Sequence, residues 1–257
     1  ADFRNRALNP NNPVARGMAE NGDVFFQHRE ASNKYYEAVP AIVEDYMNKI
    51  SEITGRKYGL FNYYGAPDAE RVIIAMGSIT QAAQEAIDYL TAQGEKVGLV
   101  SVHLYRPFSA KHFLAAVPAT AKKIAVLDRT KEPGANGEPL YLDVVECYRG
   151  VENAPVIVGG RYGLASKDTT PAQILSVYEN LALPEPKNQF SLGIVDDVTF
   201  MSLPMKEEVA LGDPSTYEAK FFGLGADGTV GANKNSVKII GENTNKYCQA
   251  YFAYDSK

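Results

Sequence analysis

Apolar residues recur along the chain in short continuous runs that alternate with helical periods, and this alternation predicts an α/β protein. Runs typical of strands buried on both faces occupy residues 71–76, 97–102, 123–128 and 155–159. Apolar spacings of three and four, typical of amphipathic helices, occupy residues 80–93, 109–117, 140–148 and 171–181. Strands alternating with helices predict an open, mostly parallel sheet that is covered on both faces.

Regions of different character flank this predicted sheet. A long helix is predicted over residues 31–53, because Tyr35, Ile42, Tyr46 and Ile50 recur at helical spacing, and Gly55 follows as its end. Beyond the sheet, proline marks a linker at residues 183–188, a small β element is predicted within 190–199, and 211–215 forms another boundary. We therefore expect three parts, at residues 1–59, 60–216 and 217–257.

The third part is organised around a glycine motif. An aromatic run at residues 217–222 predicts a strand, Gly223, Gly225 and Gly228 form a G-x-G-x-x-G turn, and a helix follows that contains Val230. Residues 247–254 predict the next strand. This order of strand, glycine turn, helix and strand predicts the start of a second, Rossmann-like unit.

Glycines in such a turn allow close backbone approach, and the free amides at the helix start favour a phosphate or pyrophosphate. Two residues after the last predicted strand favour different ligands. Asp255 suits a ribose diol, as in a nicotinamide cofactor site, whereas Lys257 suits a phosphate on that ribose. A turn that serves only tight packing is a third interpretation.

Composition narrows the class of function. The chain of 257 residues carries a formal net charge of −5 with scattered basic residues, which argues against nucleic-acid binding and against a polybasic membrane site. No apolar run approaches the roughly 18 to 20 residues of a membrane span, and no signal peptide is visible in the polar first residues. We expect a cytoplasmic protein, and the missing initiator Met suggests a piece of a longer polypeptide.

The two cysteines, Cys147 and Cys248, lie about a hundred residues apart in apolar-looking elements and are expected to be buried free thiols. The chain has no Cys-x-x-Cys motif and no cysteine and histidine cluster. We therefore expect no metal ligands and no iron–sulfur cluster held by this chain.

Three separated blocks of sequence, in the same order, carry a resemblance to a known family. The central block contains Met76-Gly77-Ser78, then Tyr105-Arg106-Pro107-Phe108-Ser109, then Leu127-Asp128-Arg129-Thr130-Lys131-Glu132-Pro133-Gly134. It resembles the transketolase-C-terminal-like domain of pyruvate:ferredoxin (flavodoxin) oxidoreductase. Residues 9–55 look like the end of that enzyme's thiamine-diphosphate-associated first domain, and residues 222–238 look like the opening of its third domain.

The resemblance implies a segment of an enzyme that decarboxylates pyruvate, passes electrons to ferredoxin or flavodoxin and transfers the acetyl group to coenzyme A. It implies thiamine diphosphate, magnesium and [4Fe–4S] clusters in the full enzyme, none of them ligated here, and no catalytic residue in this chain. The implied partners are the remainder of the polypeptide and a second copy in a homodimer.

The family's third-domain glycine turn binds coenzyme A, so the resemblance carries a site to the matching positions. These are Gly225, Ala226, Asp227, Gly228, Thr229 and Val230, with Lys257 as a phosphate partner. The segment alone is expected to be inactive. Two other functions stay open from the residues themselves: a fragment of a nicotinamide-dependent oxidoreductase, and a noncatalytic scaffold whose glycine turn only packs.

Overall fold

A computed structural model describes residues 2–11, 13, 17, 19–207, 209 and 215–254. The helices are α1 (Asp2–Asn5), α2 (Phe25–Ala31), α3 (Asn33–Thr54), α4 (Ile79–Thr91), α5 (Ala110–Ala116), α6 (Pro139–Cys147), α7 (Pro171–Ala182) and α8 (Thr229–Asn243), with a short 3-10 helix at Leu164–Ser166. The strands are β1 (Phe61–Gly65), β2 (Arg71–Ala75), β3 (Val97–Val102), β4 (Lys123–Asp128), β5 (Val156–Tyr162) and β6 (Phe190–Leu192).

The chain forms two compact units. The first comprises Ala1–Leu60 with Leu104–Ser109, and the second comprises Phe61–His103 with Ala110–Lys257. Helix α3 dominates the first unit and ends at Gly55, whose φ of 68° is the left-handed conformation that glycine adopts without strain. The helix predicted over residues 31–53 is thereby confirmed, although α1, α2 and α3 bury none of their described side chains.

The second unit contains a six-stranded sheet in the order β1-β3-β2-β4-β5-β6. Every neighbouring pair is parallel except β1 with β3. The predicted open, mostly parallel sheet is therefore confirmed, and the four predicted strands are all present. Strand β5 continues to Tyr162, beyond the predicted end at residue 159, because its last three residues pair with β6.

Helices cover both faces of this sheet. On one face α4 and α7 pack together, and their side chains form one apolar core with alternate residues of the strands, among them Ile73, Leu99 and Leu127. Helix α6 packs against β4 and β5, and α5 packs against β1. Since successive strand residues point to opposite faces, burial of every residue of β3 requires cover on both sides.

Two sequence expectations about strands were wrong. Strand β1 was not predicted, because Asn62 and two tyrosines interrupt its apolar pattern at an antiparallel edge of the sheet. Conversely, the aromatic runs at 217–222 and 247–254 form no strand, and only helix α8 of the predicted strand-helix-strand unit is present in the described residues. A strand requires a neighbour to accept and donate its backbone hydrogen bonds, and neither run has one here.

Gly160 allows close packing within the sheet. A Cβ atom at this position would lie 2.3 Å from Cε2 of Phe190 and 2.9 Å from a side-chain carbon of Leu127. Both neighbouring side chains are fully buried and cannot move into solvent.

We expect Gly160→Ala to lower the free energy of unfolding by about 1 to 3 kcal/mol, because overpacking forces buried side chains out of favourable rotamers. Urea denaturation of the 257-residue chain measures this. Gly22→Ala is the matched control, since a Cβ there meets nothing within 4 Å. Equal stability of the two variants would contradict the packing argument.

Candidate functional site

The glycine loop before helix α8 adopts a conformation that its sequence explains. Gly225 has φ 64° and Gly228 has φ 90°, both in the left-handed region where a side chain is strained. Gly228 is the N-cap residue, so the helix starts at Thr229 directly after it. The predicted arrangement of a glycine turn followed by a helix is confirmed.

Gly223 is required for a different reason. A Cβ atom there would lie 2.6 Å from Oγ1 of Thr229 and 2.8 Å from Oδ1 of Asp227. The loop therefore folds back over Gly223, and the side chains of Asp227 and Thr229 fill the space that a larger residue would take.

Asp227 is the side chain that holds the loop together. Its Oδ2 accepts a hydrogen bond from the Leu224 amide at 2.9 Å, and its Oδ1 accepts one from the Thr229 amide at 2.9 Å. Hydrogen bonds from the Thr229 amide and hydroxyl, and then from the Leu224 amide, lower the pKa of Asp227. The carboxylate thus stays charged at neutral pH and caps α8.

The carboxylate of Asp227 limits which backbone amides of the loop can bind an external anion. The amide of Thr229, the first residue of the helix, is engaged by Asp227, whereas the amides of Val230 and Gly231 have no acceptor among the residues that the structure describes. The positive end of the helix dipole favours an anion here, but the fixed charge of Asp227 opposes a second one. The loop is exposed to solvent up to Gly228.

The predicted coenzyme A residues lie together on this loop, at Gly225, Ala226, Asp227, Gly228, Thr229 and Val230. Open space surrounds the outer side of Gly228, where a Cβ would meet nothing within 4 Å, so a phosphate can approach its backbone. Lys257 and Asp255, predicted as the ribose or phosphate partners, lie outside the described residues. The role of Asp227 as an internal anion was missed, although aspartate commonly accepts a hydrogen bond from the backbone amide two residues further on.

A second concentration of polar groups lies at the carboxyl end of strand β4. Asp128 is buried, and its carboxylate accepts hydrogen bonds from the amides of Leu140 at 2.9 Å and Tyr141 at 3.0 Å, in the first turn of α6. Burial raises the pKa of Asp128, and these two amides partly offset that effect. Asp128 holds the first turn of α6 at the carboxyl end of β4. Its buried side chain is not open to a ligand.

No group of three or more histidine, cysteine, aspartate or glutamate side chains within the described part of the chain could hold a metal ion. Cys147 and Cys248 are free thiols as expected, but the expected burial was wrong, since Cys147 is only half-buried and Cys248 is exposed. Burial raises the pKa of the Cys147 thiol to about 11, which keeps it protonated and unreactive. Among the helices that the structure describes, none combines the length and apolar character of a membrane span.

Comparison with known proteins identifies relatives along the whole chain. Residues 69–174 match the family model described as pyruvate:ferredoxin oxidoreductase core domain II. A pyruvate-flavodoxin oxidoreductase of Enterobacter agglomerans is 58% identical over 258 residues, which cover 100% of this chain and 22% of that protein. A pyruvate:ferredoxin oxidoreductase of Moorella thermoacetica is 56% identical over 255 residues, 99% of this chain and 22% of that protein. The chain thus spans about a fifth of the length of these relatives.

A solved structure resembles part of the chain more distantly. It is a 2-oxoglutarate:ferredoxin oxidoreductase from Magnetococcus marinus with 2-oxoglutarate, coenzyme A and succinyl-CoA bound, at 20% identity and a TM-score of 0.38. The match covers 65% of this chain and 24% of that one, and it is too limited to support an inference about the site.

The hydrogen bonds of Asp227 predict a specific titration. We expect the amide proton shifts of Leu224 and Thr229 to titrate together, with an apparent pKa below that of an ordinary aspartate. Because the pKa is lowered in the folded loop, the cap is present above the ordinary aspartate pKa and is lost as the pH falls through the lowered value. NMR titration of the 257-residue chain measures this, and Asp227→Asn should abolish it. Two amides that titrate at unrelated pH values would contradict the geometry.

Proposed function

Because the chain is homologous along its whole length to part of the pyruvate:ferredoxin and pyruvate-flavodoxin oxidoreductases, we propose that it is a segment of an enzyme of this activity. The observation that carries the proposal is the 58% identity of an alignment that covers the whole chain, and so includes all three of its parts. The overall reaction converts pyruvate and coenzyme A to acetyl-CoA and carbon dioxide. The two electrons released pass to ferredoxin or flavodoxin, in the cytoplasm.

The thiamine diphosphate, magnesium and [4Fe–4S] clusters of that reaction are proposed to bind elsewhere in the enzyme. The described residues offer no metal-binding cluster, and Cys147 is held as a protonated thiol. When bound, these groups supply the carbanion chemistry and the electron transfer. We assign no catalytic residue to this segment.

The sheet domain, residues 60–216, is proposed to be a structural unit of the enzyme that supports assembly and homodimer contacts. Its helices and strands enclose a continuous apolar core, and the polar groups at its carboxyl edge, such as Asp128, are engaged in holding α6. We propose residues 1–59 as the end of the thiamine-diphosphate-associated domain and 217–257 as the start of the third domain.

The contribution of this segment to the chemistry is proposed to be coenzyme A binding at the loop from Gly225 to Val230, with Lys257 as a phosphate partner. Support comes from the open side of Gly228 and from the amides of Val230 and Gly231, which are free to donate to a phosphate. The loop fits a phosphate only on the side where Gly228 is open and the amides of Val230 and Gly231 are free. A phosphate that also takes the Thr229 amide must displace the carboxylate of Asp227.

The same hydrogen bonds of Asp227 favour a second candidate function, in which the glycine loop is purely structural and binds no ligand. The carboxylate already satisfies the amides of Leu224 and Thr229, so capping alone explains its conformation. The two candidates differ in how removal of the Asp227 charge is expected to change the affinity for coenzyme A. If coenzyme A binds here, removing the negative charge strengthens binding, whereas a ligand-free loop leaves affinity unchanged.

The activity itself is tested on the full-length enzyme that contains this chain. We expect reduction of flavodoxin or ferredoxin that requires both pyruvate and coenzyme A, with formation of acetyl-CoA. Replacing pyruvate by 2-oxoglutarate is the control for substrate class. A purified, cofactor-loaded enzyme that reduces neither carrier with pyruvate would overturn the proposal.

The coenzyme A site is tested by Gly228→Val in the same enzyme. A side chain at φ 90° distorts the loop and fills the open side of Gly228. We expect the KM for coenzyme A to rise on the order of tenfold or more, the value of one or two hydrogen bonds to a charged group, with the KM for pyruvate unchanged. Asp227→Asn is expected to lower the KM for coenzyme A.

The matched control is Gly241→Ala, which adds a methyl group later on the same helix where nothing lies within 4 Å. It should leave both KM values unchanged. If Gly228→Val and Asp227→Asn also leave the KM for coenzyme A unchanged in an active enzyme, the loop only packs and the assignment fails.

A further inference from the structure

The loop that follows strand β6, here called the Asp196 loop (residues 193–203), is held by an unusually complete set of hydrogen bonds. The carboxylate of Asp196 accepts from the amides of Val198 at 3.1 Å, Thr199 at 2.9 Å and Met201 at 2.9 Å, and from the Thr199 hydroxyl at 2.6 Å. These bonds lower the pKa of Asp196, so the carboxylate is charged at neutral pH.

Both ends of the loop are fixed as well. The Leu203 amide donates to the Ser191 carbonyl, and the Ser191 amide donates to the Met201 carbonyl, each at 2.9 Å, so the returning chain pairs with β6. The Ser202 hydroxyl accepts from the Asp196 amide at 2.8 Å and donates to the Ile194 carbonyl at 2.7 Å. These hydrogen bonds restrain the backbone of the loop, in which Phe200 has a φ of 57°.

This fixed frame presents large apolar side chains to solvent. Val195 and Val198 are each 80% exposed, and Phe200 is 73% exposed. On the sheet domain, from β1 to α7, no described large apolar side chain exceeds the 50% of Val156. Three large apolar side chains at such exposure on one short loop are more than the single scattered ones that are normal on a surface, and they favour a protein contact.

Rigidity strengthens this interpretation. A flexible apolar loop folds inward or loses conformational entropy when it binds, whereas a loop already fixed in its bound form avoids that cost. The strained φ of Phe200 costs stability unless the surrounding structure gains by it. Asp196 thus keeps Val195, Val198 and Phe200 outside, in the geometry of a preformed contact.

We infer that the Asp196 loop is a docking surface for another part of the same polypeptide, which receives Val195, Val198 and Phe200 in an apolar socket. More than three quarters of the relative of Enterobacter agglomerans lies outside the segment matched by this chain. A socket on the same polypeptide meets the loop at a high effective concentration without requiring a second copy to associate first. The inference rests on the proposed placement of the chain in a longer enzyme and is independent of coenzyme A.

The test measures the accessibility of Val198→Cys in the full-length enzyme. A bulky maleimide is the probe, and mass spectrometry of the peptide that contains residue 198 gives its labelling rate. Glu152→Cys, on an exposed turn of the same domain, is the matched control. We expect the thiol introduced at position 198 to react on the order of tenfold more slowly than the thiol introduced at position 152 in the native enzyme, and at an equal rate in denaturing urea.

Val195→Cys provides a second position in the event that Val198→Cys impairs folding, and it should show the same protection. Equal native rates at the loop and at residue 152 would overturn the inference. Protection that disappears on dilution to the monomer would assign the loop to a second copy and would also overturn it. Pyruvate-dependent flavodoxin reduction by the same samples shows independently whether the proposed function holds.

Discussion

Strand β2 is paired along both edges and covered on both faces, and the α/β domain depends on that complete burial. Its residues from Val72 to Ala75 have no exposed surface, and β3 and β4 pair with it on either side. Every backbone group of such a strand must find its partner within the sheet, and every side chain must be apolar. Burial of β2 therefore fixes the positions of β3 and β4, and the helices that cover them follow.

The same requirement explains which elements the sequence could predict. Strands buried on both faces are almost entirely apolar, so β2, β3 and β4 were found within one residue of their observed ends. Strand β1 pairs only with β3, at an antiparallel edge, where Asn62 and tyrosines are tolerated, and no continuous run marked it. The aromatic segments at 217–222 and 247–254 show the converse, because aromatic residues favour strands only where a neighbouring strand is present.

The candidate site was predicted in part for a related reason. Glycine spacing reports backbone conformation, and the left-handed Gly225 and Gly228 are where the motif places them. The direction of a short polar side chain is not encoded in spacing, so the inward turn of Asp227 onto two amides could not be predicted. Asp128 was missed in the same way, since its partners Leu140 and Tyr141 are brought to it only by the packing of α6.

Asp196 and Asp227 stabilise their loops in the same way, by accepting hydrogen bonds from backbone amides. An ordered loop in this chain therefore does not by itself indicate a bound ligand. Each carboxylate accepts hydrogen bonds from backbone amides of its own loop and so supplies internally the anion that an external phosphate could supply. In the Asp196 loop the result is a rigid frame whose outward groups are apolar, which favours a protein contact. In the glycine loop the outward groups are the amides of Val230 and Gly231, which favour an anion. A fixed loop is therefore no sign of a ligand by itself; the chemistry of the groups left outside decides what each loop can bind.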